Sequence, residues 1–408
     1  MSYGNNDFVP IIIGTNLNAY NIARSLHEAY GVRSLALGRY PSRETADSQI
    51  LEVRARTDFG DPDVVVQVLD TVATEFPGRK LLLLPTIEFY TNIVLERRAQ
   101  LDPRYVIPLV DHDLAKRLMN KTDFYRTCDE LGVPHPATVV VGPGPVDRAL
   151  GDDLPFPYPV ILKPSNTDVY PRLSFAGKQK VYVVPDQTAL REIAARIFAA
   201  GYDDDLIVQE YLAGDESVML VANSYSDRHG SMRFASAGQV ALTEYDPNLV
   251  GNNNAIISVR DDELVESLQR FLDGVGYVGF ANFDVMSDER TGTRKLLEVN
   301  LRPGATAYYT MAGGGNLVRC AVEDLVYERP LPLEVTTAER LWLNVPYPVV
   351  LRYAPRGLLR RIRAAARAGR VHTLKYRPDS SRRRRIDIAR VDARHTRDYL
   401  RFARRRPH

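Results

Sequence analysis

Glu298, Asn300 and Arg302 stand two residues apart in the run Lys295-Leu-Leu-Glu-Val-Asn-Leu-Arg-Pro-Gly304. Side chains of an extended chain alternate between faces, so these three point one way. Leu297 and Val299 then point the other way, into a core. Upstream, Gly279-Phe-Ala-Asn-Phe-Asp284 places Asn282 and Asp284 on one face by the same rule. Pairing the two runs gathers two acids and an amide oxygen beside a guanidinium. Oxygen ligands of this kind suit Mg²⁺ (or Mn²⁺), which keeps waters and shares itself with substrate phosphates. Arg302 can brace a phosphoryl group with two parallel N–H donors. From these residues alone an edge hairpin with a polar face fits equally well.

The elements that must position such a site follow along the chain. Residues 9–15, 34–38 and 80–84 read as short apolar strands, and 19–29 has the apolar spacing of a helix. Strands alternating with helices predict a doubly wound parallel sheet. Gly14 stands alone, without the G-x-G-x-x-G of a dinucleotide loop. Glu88, just past a strand, could face a site in such a sheet. Residues 114–131 read as one helix, stopped by Gly132 and Pro134, with Lys121 on a face that spacing leaves in solvent. Residues 152–159 are proline-rich and read as a linker. The strand at 160–164 carries Lys163 at its end. A polar loop over 167–177 leads to Lys178, Lys180 and the strand 181–184. Small-residue loop and rim lysines fit either a flap over phosphates or a surface hairpin. Residues 188–200 predict a helix and 206–212 a strand leading to Glu216. Its end suits a nucleotide's base and ribose, or a plain hinge.

Other polar stretches bear on the second substrate. Residues 243–248 and 251–254 are rich in turn formers and amides, suiting a solvated loop or one closing over substrate. Gly313-Gly-Gly-Asn316 opens a predicted helix over 317–325 and could present N–H groups to a carboxylate.

Composition narrows the classes. The chain has 408 residues, 45% apolar and 25% charged, as in multidomain globular proteins. Cys128 and Cys320 offer neither a disulfide framework nor a metal-ligand spacing, and both read as buried small side chains, which fits a reducing cytoplasm. No G-x-S-x-G and no histidine pair at zinc spacing occurs. No apolar run reaches the roughly 20 residues that span a bilayer. The net charge of +2 hides an asymmetry: from Leu351 onward there are 20 Lys+Arg and 4 Asp+Glu, leaving 33 and 47 before it. Within this basic end, Leu358, Leu359, Ile362 and Ala366 share one side of an arginine-rich helix. Such a helix suits an anionic membrane surface, a nucleic acid or the acidic body itself. The charge runs 380–385 and 404–406 suit the same partners.

The order Lys121, Lys163-Pro-Ser, Gln209-Glu-Tyr-Leu-x-Gly-x-Glu216, Asp284, Glu298-x-Asn300 resembles the ATP-grasp ligases over roughly residues 110–320. Tyr170, Gly177-Lys-Gln-Lys-Val-Tyr182, Asn282-Phe-Asp284 and Glu298 to Tyr309 resemble the carboxylate–amine ligase branch, which includes the D-aspartate ligases of peptidoglycan cross-bridge synthesis. The resemblance implies an α/β (α+β) ATP-grasp fold in four parts. These are an N-terminal parallel α/β domain over 1–115, a linker helix and lid over 116–212, an antiparallel catalytic subdomain over 213–350, and a basic tail over 351–408.

The resemblance also implies roles. Lys121 and Lys163 contact ATP phosphates. Gln209, Glu210 and Leu212 border the adenine, and Glu216 takes the ribose. Asp284, Glu298 and Asn300 hold Mg²⁺, and Arg302 faces the transferred phosphoryl group. Relatives often carry an arginine where Asn282 stands, so Arg302, Arg260 or Arg233 must supply that charge. The implied reaction joins an amino-acid carboxylate, such as D-aspartate, to an amine of a peptidoglycan precursor through an acyl phosphate. It implies a cytoplasmic enzyme, with peripheral contact at the membrane's inner face through the basic tail. A ligase making free dipeptides needs no such tail. A nucleic-acid-binding protein is the non-enzyme reading, but the tail has few aromatics and no recognition motif precedes it, so nucleic acid is not expected.

Overall fold

The computed structural model describes residues 3, 7–144, 154–166, 169–246 and 251–403. Parts of the expected linker, phosphate flap, 243–248 loop and the 404–406 arginine run therefore lie outside the described residues. The chain divides into two compact units, 1–112 with 215–283 and 300–408, and 113–214 with 284–299.

The larger unit begins with β1 (Phe8–Ile13), β2 (Ser34–Gly38), β3 (Leu51–Ala55), β4 (Lys80–Pro85) and β5 (Tyr105–Val106). They form an all-parallel sheet in the order β3-β2-β1-β4-β5. All six residues of β1 are buried, as a parallel strand covered on both faces requires. Gly14 follows β1 at φ 128°, and a Cβ there would sit 1.8 Å from Thr86 Oγ1. A close strand-to-helix turn therefore accounts for this glycine. Glu88 starts the helix Glu88–Arg97 as an exposed first-turn acid.

The chain then enters the smaller unit with β6 (Thr138–Val141), β7 (Val160–Pro164), β8 (Tyr182–Val184) and β9 (Leu206–Glu210). These pair antiparallel in the order β6-β9-β7-β8. Leu190, Ala194 and Ile197 of the helix Gln187–Ala199 pack with Val160, Leu162 and Val208 to make its core.

The third sheet uses β10 (Met219–Ser226), β11 (Met232–Thr243), β12 (Asn253–Val259), β13 (Gly279–Ser287), β14 (Arg294–Asn300), β15 (Glu334–Val335), β16 (Leu341–Leu343) and β17 (Arg370–His372). The order is β14-β13-β10-β11-β12-β16-β17, with β15 on β11. The boundary between units cuts β13 after Phe283 and β14 before Asn300. The hairpin of β13 and β14 does end the sheet, with β14 at its edge.

The basic C-terminal segment is part of the larger unit's core. β17 extends the third sheet through β16, and the helix Leu359–Ala368 packs on both strands with Ile362 and Ala365 buried. Its apolar side is thus spent inside the protein, which removes the amphipathic face expected to meet a membrane. Arg384, within the run 380–385, is fully buried. Its Nε lies 2.9 Å from Asp379 Oδ2, its Nη atoms donate to the Ala46 and Glu44 carbonyls, and its guanidinium lies 4.2 Å from the Tyr20 ring centre. Asp379 in turn accepts from Tyr20, Ser48 and the Gln49 N–H. Removing one partner of a buried pair strands the other. Arg384→Ala is expected to cost about 3–5 kcal/mol, read as a lower urea midpoint at unchanged slope. A cost below about 1 kcal/mol, the range of exposed pairs, would mean that the last helix is peripheral.

Candidate active site

The smaller unit collects most of the residues that the sequence singles out. Residues 112–130 form two helices, His112–Met119 and Lys121–Glu130, in place of the single expected one. Asn120 breaks them: its extended backbone and side-chain acceptor cap the second helix at the Asp123 N–H. The same Asn120 oxygen takes the Ser165 hydroxyl at 3.1 Å, and Thr122 bridges Ser165 and Asp205. This network ties the helix start carrying Lys121 to the strand end carrying Lys163.

In β7, Val160, Leu162 and Pro164 are buried on one face, which puts Lys163 on the other. Its ammonium donates to Tyr125 Oη at 2.8 Å, and Tyr125 donates to the Leu297 carbonyl at 2.6 Å. Lys121 Nζ lies 3.5 Å from Glu298 Oε2. Glu298 also hydrogen-bonds Asp284, so both acids of the hairpin meet. Burial alone would raise the Glu298 carboxyl, but Lys121, the Asp284 bond, Lys163 and Lys180 outweigh it and hold it at about 2. For Lys163, burial and then Lys121 push the ammonium down to about 7, against the pull of Glu298.

An ionised Glu298 that accepts a hydrogen bond from Asp284 and faces lysines fits a site for a hard cation shared with phosphates. Glu298 is already ionised, and a divalent ion would take the place of the hydrogen bond between the two groups. Among the described residues no three His, Cys, Asp or Glu side chains converge as a metal-ligand group. Two carboxylates leave the remaining positions for water and phosphate oxygens, the habit of Mg²⁺.

Gln209 is buried, donating to Thr138 Oγ1 at 2.8 Å. Glu210 accepts from the Ala137 N–H at 2.8 Å and pairs with Lys295, which also lies 3.3 Å from Asp288. Leu212 follows β9, half-buried. Lys178 donates to the Pro171 and Leu173 carbonyls and so braces its own loop, whereas Lys180 acts on Glu298 and Lys163.

The other expected residues belong to the larger unit. Glu216 is buried and accepts from Thr243 Oγ1 at 2.7 Å. Asn300 donates to Asn282 Oδ1 at 3.4 Å, and Arg302 Nη2 reaches Asn300 Oδ1 at 3.5 Å. Arg260 pairs with Asp262 in solvent and Arg233 with Asp227, so both are engaged elsewhere. Arg302 is the arginine beside Asn300.

Three expectations need correction. Leu296 and not Leu297 is the fully buried leucine of β14, while Leu297 is half-buried and Val299 is buried as expected. Asn253 and Asn254 are buried in β12, with Asn254 donating to Glu244 and Tyr399, so they form no substrate loop. The Gly313–Gly315 run answers to packing: a Cβ on Gly315 would meet the Phe234 ring at 2.5 Å. Asn316 caps the short helix Leu317–Ala321 itself. Sequence reasoning missed Tyr125 and the partners of Lys295. Tyr125 stands four residues after Lys121, one helical turn on, and that spacing could have found it.

No protein-family model matches the chain. It is 33% identical over 363 residues to a D-aspartate ligase of Enterococcus faecium (strain Aus0004), covering 86% of each chain. A D-alanine–D-alanine ligase of Haemophilus influenzae (strain PittEE) is 27% identical over 174 residues, 41% of this chain and 54% of that one. Among solved structures, an L-amino acid ligase from Bacillus licheniformis superimposes with a TM-score of 0.55 at 15% identity, covering 81% of this chain and 76% of that one. The ADP complex of N5-carboxyaminoimidazole synthetase from Staphylococcus aureus gives 0.58 at 14% identity, covering 86% and 85%.

Proposed function

Because the chain belongs to the D-aspartate ligase family, and is thereby an ATP-dependent ligase forming C–N bonds with an ATP-grasp fold, we propose that it joins D-aspartate to an amine on a peptidoglycan precursor stem peptide. The aspartate carboxylate attacks the γ-phosphate of ATP, giving an acyl phosphate and ADP. The amine then displaces inorganic phosphate to form the amide. Phosphoryl transfer of this kind needs positioning and charge more than covalent help.

In this reading Lys121 and Lys163 bind the phosphates, with Tyr125 fixing the Lys163 ammonium. Asp284 and Glu298, with Asn300, hold Mg²⁺, which when bound offsets negative charge on the phosphate oxygens. Arg302 braces the transferred group and the acyl phosphate. Gln209, Glu210 and Leu212 border the base, and Glu216 takes the ribose. The observation that carries the reading is the Asp284–Glu298 pair set against Lys121 and Lys163.

Among the described residues no helix is long and apolar enough to cross a membrane. We place the enzyme in the cytoplasm, where ATP is supplied, with peripheral contact at the inner membrane face if its acceptor is lipid-linked.

Hydroxylamine intercepts acyl phosphates as hydroxamates, so a panel of D- and L-amino acids with ATP tests the donor directly. D-aspartyl hydroxamate is expected to dominate, with ADP in equal amount. Equal yields across the panel would refute the D-aspartate assignment.

A further inference from the structure

A second charged feature takes no part in the chemistry above. In the larger unit, the helix Arg382–Phe402 and the turn at residue 43 line a half-open cavity of about 570 Å³. Arg43, Arg390, Arg394 and Arg397 line it. The three helical arginines follow at i, i+4 and i+7, which puts them on one face. Like charges one turn apart on a helix repel, so a site that keeps three of them needs anions.

The protein supplies some. Glu44 Oε1 lies 2.9 Å from Arg394, Asp387 Oδ1 lies 3.2 Å from Arg390, and Asp398 Oδ1 lies 3.5 Å from Arg397. Arg43 belongs to no ion pair among the described residues. Arg394, Arg390 and Arg397 thus each have one carboxylate neighbour and remain largely exposed, while Arg43 is open to a ligand. Four guanidinium forks around one cavity suit a ligand with several anionic oxygens on adjacent centres. The volume is that of an ordinary small-ligand site. The helix keeps its opposite face for the core, through Arg384, Ile388, Val391, His395 and Tyr399, which anchors the backbone that carries the arginines.

We propose that these four arginines form a diphosphate-binding pocket that holds the phosphate-bearing end of the amine acceptor. This rests on the ligase reading, and it assigns to the C-terminal helix a part in acceptor recognition. The diphosphate could belong to a soluble nucleotide conjugate or to a prenyl-linked lipid, and the test separates the two.

Inorganic pyrophosphate is titrated first into wild-type protein and into Arg43→Ala/Arg397→Ala, at constant ionic strength. Binding that weakens about tenfold or more in the variant is expected, the loss of one charge-assisted contact being worth about a factor of ten. Arg43→Lys/Arg397→Lys should recover only part of it, because an ammonium lacks the fork. KM is then compared for stem-peptide acceptors with and without a diphosphate. The double variant should raise KM only for the diphosphate-bearing acceptor and leave D-aspartyl hydroxamate formation unchanged. UDP competing for the pocket identifies a nucleotide-linked acceptor. Competition only by vesicles carrying farnesyl diphosphate identifies a lipid-linked one. Equal pyrophosphate binding by the two proteins, or loss of binding to plain anionic vesicles with both KM values unmoved, overturns the pocket. Failure of wild type to form any hydroxamate would instead remove the ligase reading, and the pyrophosphate titration would still report on the arginines.

Discussion

Glu298→Gln is expected to slow D-aspartyl hydroxamate formation by about 10²- to 10³-fold, the usual effect of removing one preorganised charge contact to a reacting group. The substitution keeps volume and one oxygen, so it tests charge and not packing. Glu298 is held ionised at about 2 and lies 3.5 Å from Lys121. Its loss acts twice. It deletes one of the two carboxylates available to a cation, and it leaves Lys121, Lys163 and Lys180 facing one another without that counter-charge. Because Glu298 raises the pKa of Lys163, the variant should also move that lysine's titration below about 7. Asp284→Asn should match Glu298→Gln in rate loss without moving Lys163 in this way, since Glu298 is the carboxylate that acts on it. Single-turnover hydroxamate assays at several Mg²⁺ concentrations, with the urea midpoint as a control for folding, separate the two effects. A loss smaller than about fivefold in both variants would show that the pair is structural.

This pair was legible in the sequence because strand alternation is a two-state rule. Once β13 and β14 are strands, Asp284, Glu298 and Asn300 have determined faces. The same rule held for Val299 but misjudged Leu297, because alternation assumes one buried face, and β14 buries Leu296 from the other. Lys121 seemed a solvent lysine because its surroundings lie far along the chain. Ser165, Asp205 and Glu298 draw that helix start inward, and no local pattern encodes them. The basic end was legible only as a choice of partners, the acidic body among them. Arg384 itself is buried through Asp379 and two carbonyls some 340 residues away in sequence. Long-range pairing of this kind leaves no periodicity to read. Asn120 was the opposite case: an N-cap residue with an acid three positions on, a local signal that splits the 112–130 segment in two.

The second large effect concerns Lys163 and pH. With an ammonium titrating at about 7, half of the free enzyme lacks this charge at neutrality. Phosphates placed against it restore the proton, so ATP binding takes up a proton between about pH 7 and the higher pKa of the complex. ATP affinity should then fall as pH rises above about 7, by at most about tenfold per unit, the limit for one proton. Isothermal titration in buffers of different ionisation enthalpy counts that proton directly. Lys163→Arg keeps its charge throughout, so it should bind ATP with a flatter profile and little proton uptake. Lys163→Met should bind weakly at every pH. Stability runs the other way. The unfolded chain, with Lys163 at its ordinary 10.5, binds more protons than the folded one between about pH 7 and 10.5. Stability therefore rises with pH across that window, and the cost of burying the charge is complete below pH 7. Lys163→Met should accordingly raise Tm most below pH 7, with the gain shrinking as pH climbs toward 10. An equal Tm change at pH 6 and pH 9.5, or parallel ATP profiles for wild type and Lys163→Arg, would rule out a lysine perturbed in this way.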